Sequence, residues 1–203
     1  MLSNFDDIIL TRRTCRVFTH EIPTKEDILS ILEAGLYAPY AALALEDNQK
    51  LRQFVVIDGR SEKMLIIREL VKKQTAKLEK IIPIINFFSP GKISEKFKDR
   101  VKQDLLGKAP YYIFVIEPNG FPPASKQSIS HCLQNMWLKA TEIGLGFRLI
   151  SVFETMNKNK NLLSILSLGK GSYSINCCAI GYSAYKPEKS KRPSLEDMIL
   201  WVE

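Results

Sequence analysis

Histidine is nearly missing from the chain, with only His20 and His131 in 203 residues, and its four cysteines (Cys15, Cys132, Cys177, Cys178) form no CxxC pair. No recognisable zinc spacing results. The thiols read as reduced side chains of a cytosolic core, not as a disulfide frame. No apolar run approaches the roughly 20 residues of a bilayer-crossing helix. The most apolar internal stretch, 81–88, is short and broken by Pro83 and Asn86. The opening Met1-Leu2-Ser3-Asn4-Phe5-Asp6-Asp7 lacks a basic segment followed by a long apolar one, so no secretory signal is expected. Internal repeats and low-complexity linkers are also lacking. These absences point to a cytoplasmic protein with no membrane partner.

What remains is an ordinary globular balance, 45% apolar and 25% charged residues. The length suits a single domain over 1–203 with a substantial core. Lys and Arg number 29 against 22 Asp and Glu, a formal charge of +7. That excess favours an anionic partner: nucleic acid, a membrane surface or a phosphorylated small molecule. Charge alone does not choose among them. A basic nucleic-acid-binding module is disfavoured, because neither zinc spacing nor an aromatic-and-basic strand motif is present.

Along the chain, residues 3–16 read as a helix ending in Arg12-Arg13-Thr14-Cys15-Arg16, followed by an extended stretch, 17–23. Thr24 with Asp27 three residues on predicts an acidic capping box. Ile28, Leu29, Ile31, Leu32 and Leu36 supply the apolar face of the helix that follows, which ends at Pro39. Gln53–Asp58 predicts a buried strand. A charged helix over about 61–80 precedes a less regular region to Gly107, and 109–117 reads as a second strand. The clearest helix covers about 125–143, with Ile129, Cys132, Leu133, Met136, Trp137, Ala140 and Ile143 at steps of three and four. Gly144 is placed to stop it. Strands are expected at 147–152 and 175–182, a short helix at 162–168, and a last strand at 198–202. In the fourth strand, adjacent Cys177 and Cys178 point to opposite faces. Helices interspersed with apolar strands imply an α+β or α/β sandwich.

Chemistry concentrates in two basic clusters. Arginine offers a planar fork of donors that fits phosphate oxygens two at a time. Arg12, Arg13 and Arg16, with the Thr14 hydroxyl among them, could therefore hold a dianionic phosphate. Alone, the segment reads more readily as a solvated helix end. Lys189-Ser190-Lys191-Arg192-Pro193, near the other end, reads alone as an exposed tail. The second cluster gains meaning only if the tail returns to the first.

Five segments in order resemble the nitroreductase family. They are the helix ending in R-R-T-C-R with V-F-T-H-E-I-P and L-E-A-G-L-Y-A-P; the strand Gln53–Asp58; A-P-Y-Y-I-F-V-I; L-Q-N-M-W-L-K-A-T-E-I-G-L-G; and C-A-I-G-Y with the later K-R-P. The resemblance implies an α+β fold, a central mostly antiparallel sheet flanked by helices, in an intertwined homodimer. It implies non-covalent FMN at the subunit interface, NADH or NADPH as electron donor, and a small-molecule acceptor such as a nitroaromatic or quinone-like compound. By the same resemblance Arg12, Arg13 and Thr14 meet the FMN phosphate and ribityl chain, and Arg16 lies near the N1/O2 edge. Lys191 and Arg192 complete the phosphate clamp. Pro39, Tyr40 and Ala41, from the other subunit, lie against the ring, and Ser151 and Val152 pass their backbone along it. No catalytic side chain or metal is required, because flavin N5 carries the hydride chemistry. A fixed cation such as Arg16 would stabilise the anionic reduced flavin.

The chain departs from the family where Tyr40-Ala41-Ala42-Leu43 follows Pro39, and where Lys50-Leu51 replaces a proline–tryptophan pair. Tyr40 is read as either a ring contact or a packing aromatic. Phe87 and Phe88 fall where relatives vary their pocket-covering helices. Relatives that dehalogenate substrates or fragment the flavin supply the alternative reaction.

Overall fold

One strand organises the sheet. In the computed structural model, which describes residues 4–40, 52–88, 105–121, 123–186 and 192–202, β2 (Tyr111–Pro118) is buried from Tyr112 to Glu117. β1 (Gln53–Asp58) flanks it on one side and β4 (Tyr173–Gly181) on the other, and β3 (Gly146–Ile150) forms the outer edge beside β4. All three pairings are antiparallel. The expected α+β sheet flanked by helices is thus what the chain forms.

Side chains alternate across the pleat, so each central strand feeds two cores. Ile113, Val115, Cys178 and Ile180 pack with Ile28 and Ile31 of α2 (Lys25–Leu36) and with Ile129 and Met136 of α4 (Ser125–Glu142). Tyr112, Phe114, Ile116 and Cys177 face the other way. They meet Met64, Ile67 and Val71 of α3 (Glu62–Phe88), Phe153 of the 3₁₀ turn Ser151–Met156, and Leu162 of α5 (Lys160–Ile165). Cys177 and Cys178 do divide between the faces.

Local chemistry sets several boundaries. The Thr24 hydroxyl accepts from the Asp27 N–H at 3.1 Å while the Asp27 carboxylate accepts from the Thr24 N–H at 3.0 Å, completing the capping box. α4 ends in a Schellman motif: Leu145 N–H donates to the Ala140 carbonyl and Gly144 N–H to that of Thr141. Gly144 supplies the φ of +80° this needs. The chain therefore leaves the helix directly into β3.

Some expectations are corrected. α1 covers only Phe5–Thr11, because Thr14 and Phe18 are taken up in bridges to Phe147 and Ser183 that hold this stretch extended. The buried face of α2 is narrower than the apolar pattern suggested: Leu29 and Leu36 are exposed, whereas Gly35 is buried against Met136. α2 stops at Leu36, short of Pro39. α3 continues past the expected end near Lys80, through Pro83 to Phe88, so a helix of 27 residues absorbs the N–H that proline lacks. The side chains of Phe87 and Phe88 lie outside the described residues. β3 ends at Ile150, where the chain tightens into the 3₁₀ turn. The expected strand at 198–202 is absent from the single chain, which has a short 3₁₀ turn at Glu196–Met198 and then irregular backbone.

Two predictions follow from the packing. A Cβ on Gly146 would sit 2.8 Å from both Cβ and Sγ of buried Cys15. Gly146→Ala is therefore expected to cost about 1–3 kcal/mol of overpacking, read as a lower thermal midpoint. Burial raises the pKa of Cys15, of Cys132 to about 12, and of Cys177 and Cys178 well above the usual thiol value. All four thiols should ignore a dithiobis-nitrobenzoate probe at pH 8 in the native protein and react in denaturant; rapid native labelling would contradict their burial.

Candidate functional site

The outer edge of β3 is where the first basic segment runs, within electrostatic reach of Arg192. Thr14 forms a parallel bridge with Phe147, and the Cys15 N–H donates to the Phe147 carbonyl at 2.9 Å. Gly146 permits this approach because it has no side chain beneath Cys15. The same ribbon is gripped from its far side: Thr19 N–H donates to Tyr182 O at 2.8 Å and Ala184 N–H to Val17 O at 3.0 Å. Chain leaving β4 is thus led back past residues 14–19. The Tyr185 hydroxyl accepts from the Arg16 N–H at 3.2 Å and donates to the Thr14 carbonyl at 3.5 Å.

Trp137 of α4 supports the arginines from below. Its indole N–H donates to the Arg13 carbonyl at 3.3 Å, and its ring stacks on Phe147 at 5.0 Å between centroids. The Arg12 guanidinium lies 4.2 Å above that ring, a cation–π contact. The Arg12 pKa is lowered by burial first, then by the nearby charges of Arg13 and Arg192. Charges from both ends of the chain therefore act on Arg12. Among the described residues no carboxylate pairs with Arg12 or Arg192. Such a cluster suits an anion with several oxygens, and a phosphate monoester fits it.

Beyond Phe147 the edge of β3 carries no further bridge among the described residues, and Leu149 is exposed. Ser151, exposed, and Val152, partly buried, continue from this edge as the 3₁₀ turn begins. A flat group extending from the arginines along this edge would meet their backbone. Arg12 and Arg13 thus lie within electrostatic reach of Arg192, Thr14 and Arg16 follow on the same extended ribbon, and Ser151 and Val152 lie at the far end of β3. Lys191 and Ala41 lie outside the described residues.

Pro39 and Tyr40 are not brought to the arginines in one chain. They sit by Ser128 of α4, while the arginines sit by Trp137. Those two positions are two and a half turns apart, about 13 Å along the axis. The turn is held by Arg52, which sequence reasoning missed. Arg52 is 3% exposed and pairs through Nε with Glu117, 2% exposed, at 2.7 Å. Its remaining donors reach the carbonyls of Gly35, Ala38 and Pro39 and the Ser128 side chain. A signal existed: antiparallel pairing of Gln53 with Ile116 places Arg52 opposite Glu117, at the ends of two apolar strands. Burial raises the Glu117 pKa, opposed by the Arg52 contact.

A separate cavity of about 730 Å³ lies between α3, Gly59–Arg60 and residues 105–110, and contains none of the expected site residues. Several of its cations are already engaged, Arg60 by Asp58, Lys72 by Glu69, and Arg68 by the Gly107 carbonyl and Tyr112 hydroxyl. Among the described residues there is no metal-binding cluster and no helix long and apolar enough to cross a membrane.

The model of the nitroreductase family matches residues 9–182. No curated protein matches the chain. Among solved structures the chain is similar to a nitroreductase with bound FMN from Bacteroides fragilis (21% identity, all of both chains, TM-score 0.73). It is equally similar to a BluB-like flavoprotein from Clostridium difficile (21%, all of both chains, 0.74). An FMN and NADPH-dependent nitroreductase from Sphigopyxis sp. shares 15% identity over 98% of this chain and 99% of that one, with a TM-score of 0.68.

The crowding of like charges generates a prediction. Arg192→Gln should not lower the thermal midpoint of ligand-free protein at low salt, because it relieves repulsion on Arg12. Inorganic phosphate should raise the midpoint of the unaltered protein more than that of the variant. A ligand-free loss on substitution, or equal phosphate responses, would contradict the cluster.

Proposed function

Because the chain belongs to the nitroreductase family, we propose that it is an FMN-dependent oxidoreductase that takes hydride from NADH or NADPH and reduces a small electrophilic acceptor. The observation that carries this reading is that Arg192, near the far end of the chain, acts electrostatically on Arg12, just before the segment bridged to the edge of β3. In this reading Arg12, Arg13, Lys191 and Arg192 hold the FMN phosphate. Thr14 adds a hydroxyl along the ribityl chain, and the Ser151–Val152 backbone runs beside the ring. Arg16 stands near the N1 edge, where a cation favours the anionic reduced form. Bound FMN supplies the hydride-accepting and hydride-donating centre, so the protein needs to bind, orient and exclude water rather than attack. The FMN and NADPH named for similar structures support the cofactor and the donor.

The working unit in this reading is a homodimer, each chain forming one FMN-binding domain, in the cytoplasm. Two observations support a partner. The turn Pro39–Tyr40 stands apart from the arginines of its own chain, and so would serve the site of the other subunit. The tail also exposes Leu195, Met198, Leu200, Trp201 and Val202 in the isolated chain, an apolar series that suits burial against a second copy. A second reading keeps FMN and changes the reaction to dehalogenation or flavin fragmentation. Its support is that the BluB-like flavoprotein is as similar in fold as the nitroreductases.

A visible spectrum separates these outcomes. The purified protein is expected to be yellow, or to become so with FMN, and to bleach with NADH or NADPH under anaerobic conditions. A preparation that takes up no FMN rejects both flavin readings, and a yellow protein that neither nicotinamide reduces favours the second. Each charge-assisted contact to phosphate is worth roughly 1.5–3 kcal/mol. Arg12→Ala should therefore weaken FMN binding by about 10- to 100-fold. Fluorescence titration measures it.

A further inference from the structure

Arg52 is a fully charged side chain with almost no exposure, and its donors are spread over three separate elements. Nε binds the Glu117 carboxylate at the end of β2 at 2.7 Å. One terminal nitrogen donates to the carbonyls of Gly35 and Ala38, at 3.1 and 3.3 Å. The other donates to the Pro39 carbonyl at 3.1 Å and the Ser128 hydroxyl at 2.8 Å. The last carbonyls of a helix lack intrahelical partners. Arg52 satisfies that need at the end of α2, yet its reach past the helix to Pro39 exceeds what a cap requires. Its guanidinium also lies 4.6 Å from the centroid of the Tyr40 ring.

A buried ion pair is a weak source of stability, since apolar residues of similar volume often replace it without loss. What a planar five-donor fork supplies is geometry. Here the fork fixes the direction in which the chain leaves α2 and the face that Tyr40 turns inward. The Tyr40 hydroxyl is shielded from solvent and has no hydrogen-bond partner among the described residues of this chain. Burial, then the Glu117 charge, pushes its pKa up to about 12. The phenol is therefore neutral and held by its ring face.

Resting on the flavin role proposed above for the 39–40 turn, we infer that Arg52, anchored by Glu117, is the positioning residue that sets how Tyr40 is presented to the flavin ring. Arg52 does not itself touch the cofactor; it acts through the turn. Removing it leaves the phosphate clamp intact and releases the phenol from the ring.

Emission from bound FMN reads this directly, because a phenol stacked on the flavin donates an electron to its excited state and quenches it. Tyr40→Phe should restore emission without loss of FMN. Replacing the pair together, Arg52→Met with Glu117→Leu, avoids leaving a buried carboxylate alone. It should retain FMN affinity while losing the quenching, and adding Tyr40→Phe should raise emission no further. If the double replacement does not fold, Arg52→Lys carries the test. It keeps the charge opposite Glu117 but spans fewer carbonyls, and the same loss of quenching is expected. A folded, FMN-loaded Arg52 variant with quenching intact overturns the positioning role. Emission unaffected by Tyr40→Phe in the unaltered background instead overturns the flavin role of the turn, and unaltered protein that binds no FMN overturns the function itself.

Discussion

The positive charges gathered around Arg12 are the constraint on which the proposed site depends. Arg12, Arg13 and Arg192 come from the two ends of the chain, and burial, then the charges of Arg13 and Arg192, lower the pKa of Arg12. Backbone hydrogen bonds Cys15–Phe147, Thr19–Tyr182 and Ala184–Val17 hold the first arginine segment and the chain leaving β4 side by side. In the proposed reading, a phosphate bound here would offset the repulsion on Arg12, and the preorganised arginines would favour its binding.

The remaining architecture supplies what this cluster needs. The Schellman turn at Gly144 aims the chain from α4 into β3, and glycine at 146 lets Cys15 lie directly on the strand. Trp137 joins the two features, with its indole N–H on Arg13, its face under Arg12 and its other face on Phe147. At the opposite end of α4, Ser128 contributes to a second buried polar centre around Arg52 and Glu117. The long helix thus sets the separation between the arginine cluster near Trp137 and the Pro39–Tyr40 turn near Ser128.

Much of this was legible in the sequence because its signals were local. Thr24–Asp27 specified a helix start, Gly144 a helix stop, and β-branched runs the strands Gln53–Asp58 and Tyr173–Gly181. The arginine segments were visible as candidates, but only tertiary structure returns residue 192 to residue 12. Other features depend on long-range pairing and were misread. Residues 12–16 look helical until Phe147 offers a bridge, and the stretch after residue 80 looks irregular although the helix continues through Pro83 to Phe88. Arg52 and Glu117 escaped notice because each borders an apolar strand, where a charge suggests exposure. Their partnership follows only once the register of β1 against β2 is known.

The ratio of FMN affinity to riboflavin affinity isolates the phosphate from every other part of the ligand. The account predicts that the unaltered protein binds FMN far more tightly than riboflavin, and that replacing Arg12 and Arg192 together with alanine collapses the preference while the fold persists. Equal affinity for the two flavins in the unaltered protein, or a preference that survives the double replacement, would contradict it.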